Sequence, residues 1–351
     1  MPPTSLIRLT RPSYHGTQTA TGCVAPGMDD VGLSLLDRTR TRVGSSDADA
    51  IGHTVERARR AEALGYDRFW VAEHHGVPGV AGSAPAVLLA VLAGATSRIR
   101  LGSAGVMLPH HQPLVVAEQF ATLAAVAPGR VDLGVGRSPG FTAPVRRALR
   151  QHDTDFAADV AELRAHLAGT AEITAHPRPA APVPVFVLAT GHGLEVAAQL
   201  GLPVVVGGPV LDDPDALDRY RQAFVPSPAQ PAPWVGVSAD VLVAGTAADA
   251  RRLALPEAWA MAQARTTGTF PALQPVDSIG AMTPAQRRYV EQSRAITGTP
   301  AQVAEQVGEL VDRTGAAELV ASSSTYDRGA LAESDAALAE LLSRAASPVP
   351  G

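Results

Sequence analysis

The chain has 351 residues, 29 basic against 34 acidic side chains and a net charge of −5, with no basic run to mark a nucleic-acid or membrane partner, so a small-molecule substrate is expected. A single cysteine, Cys23, excludes an internal disulfide and a cysteine-clustered zinc site, and points to a reducing, cytoplasmic compartment. Every basic residue is arginine; with no lysine, Schiff-base chemistry, a pyridoxal anchor and a Walker A loop are excluded, and any phosphate falls to arginine and backbone amides.

Residues 1–28 are rich in Pro, Gly, Ser and Thr and read as a disordered N-terminal extension, with Met28 an alternative start. No apolar run is long enough for a transmembrane helix. From there, β-rich runs alternate with runs of helical period. Residues 31–36 read as a strand, followed by a helix with Ile51, Val55, Ala58 and Leu64 on one face, opened by Asp47 or Asp49 and closed by Gly65. Further strands are expected at 68–72, 98–103, 131–135, 183–189, 204–206, 235–243 and 318–322. The helices between them fall at 85–96, 113–127, 156–167, 194–200, 213–224, 247–264, 300–314 and 328–342. Eight such units over residues 29–345 predict an α/β fold, a (β/α)8 TIM barrel in one domain. A doubly wound sheet is the alternative, but no G-x-G-x-x-G turn follows the first strand. Residues 266–296 are too long for an ordinary connection and read as a lid insertion between strands seven and eight.

Catalytic residues of a barrel sit just past the C-terminal ends of its strands. Glu73, His74 and His75 follow strand two, and His110 and His111 follow strand three. Arg137 follows strand four, while Thr190, Gly191, His192 and Gly193 follow strand five and open a helix. Glu73 with His74 reads either as a hydrogen-bonded pair sealing the rim or as proton-handling catalytic groups. Zinc is a third reading of the two HH pairs, but H-E-x-x-H is missing and neighbouring side chains in extended backbone point apart, so no metal is expected. The Thr190–Gly193 stretch reads as an anion cradle at a helix N-terminus, or as a plain turn capped by Thr190. Arg137 is the fixed cation a phosphate needs, or the partner of a rim carboxylate. Pro109 reads as a rigid turn, His110 and His111 as partly exposed rim, and the tryptophans Trp70, Trp234 and Trp259 as core.

Ordered stretches, among them AEALGYDRFWVAEHH from Ala61, GSAGVMLPHHQPLVVAEQFATL from Gly102, PGRVDLGVGRSPG from Pro128 and VFVLATGHGLEVAAQLGLP from Val185, resemble the bacterial luciferase-like flavin-dependent monooxygenases, in particular the alkanal-monooxygenase-like branch. The resemblance implies reduced FMN as cofactor, with His74 beside the flavin ring and Arg137, Thr190, Gly191 and His192 around its phosphate. It further implies a non-proline cis peptide between Ala104 and Gly105 beneath the ring, a separate flavin reductase and a homodimer. Gly136 stands where light-emitting members carry a cysteine, so light emission is not implied, and Ala189 stands where some relatives carry an acid.

The leading functional reading is therefore an FMN-dependent monooxygenase that uses O2 on a small organic substrate. Two readings compete with it: a deazaflavin-dependent hydride-transfer oxidoreductase and a non-catalytic flavin-binding accessory protein.

Overall fold

The computed structural model describes residues 31–150 and 155–345; the expectations for residues 1–28, Met28 as a start included, lie outside these. The chain runs β1 (Gly32–Asp37), α1 (Asp47–Leu64), β2 (Arg68–Val71), α2 (Pro85–Ala95), β3 (Arg100–Met107), α3 (Pro113–Val126), β4 (Val131–Gly136), α4 (Ala143–Ala148), α5 (Phe156–Ala168), β5 (Val185–Ala189) and α6 (Gly193–Leu200). It continues through β6 (Val204–Val206), α7 (Ala216–Ala223), β7 (Val235–Ala239), β8 (Val241–Val243), α8 (Ala247–Thr267), α9 (Pro284–Glu291), β9 (Ile296–Gly298), α10 (Pro300–Thr314), β10 (Glu318–Ala321) and α11 (Arg328–Ala345).

Eight strands close into a parallel barrel in the order β1-β10-β7-β6-β5-β4-β3-β2, which excludes the doubly wound alternative. Closure is made by β1 against β10, with Leu33 opposite Leu319 and Leu35 opposite Ala321. The apolar strand runs bury both faces: one set of side chains packs outward under the helices, while Leu36, Trp70, Phe186, Val205 and Val320 fill the interior. Trp70 meets Phe186 edge-on at 5.4 Å, and Phe186 meets the half-buried Trp234 at 5.5 Å. Trp70 and Trp259 are both buried, as expected of core.

Local signals account for the helix ends. Ser46 and Asp49 form a capping box on α1, which stops at Gly65 in the left-handed region at φ 87°. Thr299 and Gln302 do the same for α10, with Pro300 in its first turn.

Four features depart from expectation. The run 235–243 is two strands, because the chain leaves the barrel at Asp240 and Val241–Val243 pairs instead with Ile296–Gly298 in a separate two-stranded sheet. The stretch reads VGVSADVLV, and Asp240 is the one charged residue in it, standing at the break. The third strand runs on to Met107, so Ala104 and Gly105 lie within β3 instead of after it. The short helices α4 and α9 were not anticipated, and α9 stands inside the 266–296 insertion. That insertion begins on the last turn of α8; Phe270 and Leu273 then pack against Val77, Val80 and Trp259, laying the segment on the loop after β2. Backbone bonds from Gly79 N–H to Phe270 and from Leu273 N–H to Thr41 hold it there.

Candidate active site

The predicted residues gather at the C-terminal ends of four successive barrel strands, β2 to β5. At β2, Glu73 is buried and His74 and His75 are half-buried. The expected Glu73–His74 pair is not formed. Alternate residues share a side past a strand, so Glu73 turns with His75 and His74 turns the other way. Glu73 Oε1 accepts from His75 Nε2 at 2.6 Å and His111 Nε2 at 2.8 Å, and Oε2 accepts the Met107 N–H at 2.9 Å. Desolvation pushes the Glu73 carboxyl up, but these bonds and the nearby imidazoles outweigh it and hold the pKa at about 2.

His74 has the opposite surroundings. Its Nδ1 is buried without a hydrogen-bond partner. Burial, reinforced by the charges of Arg38 and Arg40, lowers its pKa to about 4, so the ring is neutral near pH 7.

The Ala104–Gly105 peptide is cis, as the resemblance implied. Pairing with β4 shifts register there, between Ser103 and Val106. Both residues are half-buried, and a Cβ on Gly105 would lie 2.9 Å from the Gly134 carbonyl and the Leu188 side chain, so only glycine fits that contact.

Arg137, past β4, is exposed and makes no ion pair among the described residues, so the rim-carboxylate reading of it is not met. Past β5, Thr190, Gly191 and His192 are exposed and Gly193 is buried as the first residue of α6. Thr190 is not the cap. The N-cap is His192, whose side chain makes no capping bond; the Leu194 N–H is taken by the Gly191 carbonyl at 3.1 Å, and the Gly193 N–H has no capping side chain. Nothing stands within 4 Å of a Cβ placed on Gly191, so the backbone is open to approach from that side.

Sequence reasoning missed the residues after β1. The stretch Asp37-Arg-Thr-Arg-Thr-Arg puts Arg38 on Asp240 at 3.2 Å, Ser322 at 3.1 Å and Glu257 at 3.3 Å, while Arg40 holds Glu257 at 2.8 Å. Arg40 also stacks over Phe270 of the insertion, 4.1 Å from the ring centre. Three arginines at alternate positions past a barrel strand were the signal available. Beyond this network a cavity of about 200 Å³ lies between α8, α9 and the ends of β7 and β10, lined mainly by Leu242, Ala258, Met261 and Tyr289, with Arg265 and Ser293 also on its wall. His110 Nε2 lies 3.2 Å from the Ser138 carbonyl, which links the turns after β3 and β4.

Comparison with known proteins places this geometry in context. Residues 30–318 match the model of the luciferase-like monooxygenase family. A luciferase-like monooxygenase of Escherichia coli K12 is 36% identical over 316 residues, covering 86% of this chain and 93% of that protein. The crystal structure of apo-MsnO8 superposes with a TM-score of 0.83 at 34% identity, covering 92% of this chain and 100% of the other. Two more distant structures share the fold alone. One is the oxygenating constituent of 3,6-diketocamphane monooxygenase from Pseudomonas putida in complex with FMN (TM-score 0.64, 18% identity, 90% and 98% covered). The other is an F420-dependent secondary alcohol dehydrogenase (TM-score 0.64, 15% identity, 91% and 100% covered).

Proposed function

Since this chain belongs to the luciferase-like monooxygenase family, we propose that it is an FMN-dependent monooxygenase that uses reduced FMN and O2 to oxygenate a small organic substrate. The observation that carries the reading is the convergence, on neighbouring strand ends, of the exposed Arg137, the exposed turn that opens α6 and a neutral histidine with an unpartnered buried nitrogen. Reduced flavin, when bound, supplies the two electrons that let one oxygen atom go to substrate and the other to water.

The chain's own residues fit that group. Arg137, the Gly193 N–H, and Thr190, Gly191 and His192 would hold the phosphate through charge-assisted hydrogen bonds. Ala104 and Gly105 would support the ring. His74, neutral near pH 7, is placed to accept or hold a proton at Nδ1. Glu73 does not face a substrate; its role is to fix the strand-end backbone on which His74 sits. The 266–296 insertion acts as the lid, with α9 walling the cavity beside it. Among the described residues no helix is long and apolar enough to cross a membrane. A separate reductase supplies the reduced flavin, the protein is a homodimer, and the reducing compartment inferred from Cys23 is the cytoplasm.

The deciding experiment is an anaerobic titration with FMN, reduced FMN, FAD and reduced deazaflavin, followed by admission of O2. Tightest binding of reduced FMN and O2 consumption coupled to an oxygenated product is the expected result. Selective deazaflavin binding overturns it in favour of hydride transfer, and flavin binding without oxygen chemistry leaves an accessory protein.

A further inference from the structure

Each HH pair sends one imidazole to the same carboxylate oxygen. The reason for expecting no metal, that adjacent histidines point apart, applies within a pair and does not reach ligands drawn one from each pair. Among the described residues, Glu73, His75 and His111 bring one oxygen and two nitrogens to within 4.8 Å of one another. We propose that these three side chains form a site for one divalent cation of the zinc class, joining the loop after β2 to the turn after β3.

The donor set decides the class of ion. Two imidazole nitrogens with one carboxylate oxygen suit Zn2+ and its borderline neighbours, whereas Mg2+ and Ca2+ favour all-oxygen shells. The carboxylate is already oriented, because the Met107 N–H holds Oε2 and leaves Oε1 facing both rings. The ring side chains are 22% and 30% exposed, so an ion enters from solvent and keeps open positions for water. Bonds of about 2.0–2.1 Å in a tetrahedral arrangement separate ligand atoms by roughly 3.3 Å. The N···O distances of 2.6 and 2.8 Å therefore open by about 0.7 and 0.5 Å, which the half-buried rings supply by turning. Each imidazole then offers its Nε2 lone pair to the ion and carries its proton on Nδ1; the carboxylate is already ionised, so no group is oxidised or reduced. The site stands at β2 and β3, apart from Arg137 and the α6 N-terminus, and does not depend on the flavin reading.

The test is calorimetric titration of the chelator-treated full chain with Zn2+ alone, with Mg2+ as the comparison ion and thermal melts alongside. One equivalent of Zn2+ and a zinc-dependent rise in Tm are expected, with no response to Mg2+. His75→Gln and His111→Gln keep a polar group against Glu73. Each should weaken zinc binding by more than the roughly 10- to 100-fold that loss of an outer partner costs. His176→Gln, at an exposed histidine elsewhere, should leave it unchanged. No zinc binding by the wild-type chain overturns the proposal, and so does binding that survives in both folded site variants or is lost equally in His176→Gln.

Discussion

At His74 the surroundings set the state of the proton. Desolvation and two nearby guanidinium groups favour the neutral ring, and its Nδ1 has no internal partner to satisfy it. A group held that way offers little to stability and much to a reacting centre. His74→Ala is expected to lower the rate of product formation by about 10²- to 10⁴-fold, the usual range for a lost acid–base group, with reduced-FMN affinity within a factor of a few. Equal turnover would remove His74 from the chemistry. Arg137 makes the complementary case, since an exposed cation without an ion-pair partner among the described residues contributes little to the fold that its loss would expose. Arg137→Ala should cost FMN binding about 1.5–3 kcal/mol, the worth of a hydrogen bond to a charged group, while riboflavin, which lacks the phosphate, binds the variant and wild type alike. A loss that is the same for both ligands would place Arg137 away from the phosphate.

At the scale of elements, one carboxylate ties α1 to the entry of β3. Glu62 accepts from the backbone N–H groups of Ser97, Arg98 and Ile99 and from the Ser97 hydroxyl. Partial desolvation works upward on its pKa, but these donors prevail and hold it at about 2. A carboxyl depressed in the folded state contributes stability that is present above its ordinary pKa, near 4.5, and is lost as pH falls through about 2. Discounted for solvent, the contribution is about 1–2 kcal/mol. Denaturant unfolding of wild type and Glu62→Gln should differ by that amount at pH 7, with the gap shrinking as pH falls below about 4.5 and closing below about 2; a gap independent of pH would assign the effect to packing. The elements themselves were legible to different degrees. The eight barrel strands stood out because each is a short apolar run bounded by Gly, Pro or a charge. The break at Asp240 was passed over although that residue is a charge of the same kind, because apolar residues resume at once on its far side and the two short runs read as one strand. Helix α9 is largely polar and so lacks an apolar stripe, yet its Thr283–Gln286 capping box was a readable start signal. At the site, strand ends could be listed from sequence, but which histidine meets Glu73 depends on a contact 38 residues away that spacing does not encode.

For the whole molecule, the question is what covers the outer face of α2. Its sequence, PAVLLAVLAGA, has no charged residue. An outer barrel helix normally turns a polar face to water. Val87 and Val91, one turn apart, are instead 68% and 50% exposed, and the neighbouring α3 exposes Val115 and Val126. Leu88, Leu89 and Leu92 already fill the inner face, so the outer valines add nothing to the barrel core. A twofold axis would set the two α2 helices, or α2 and α3 pairwise, against their copies, because a self-complementary patch meets itself in a C2 dimer. Sedimentation at micromolar concentration is expected to give a dimer. The double change Val87→Glu and Val91→Glu puts charge into the centre of that patch. It should raise the dimer dissociation constant by at least about 100-fold, the effect of burying uncompensated charge at an interface, while circular dichroism and thermal melting of the monomer stay close to wild type. A dimer that persists in the double variant would move the interface elsewhere, and a wild-type monomer would mean that another surface or partner covers α2.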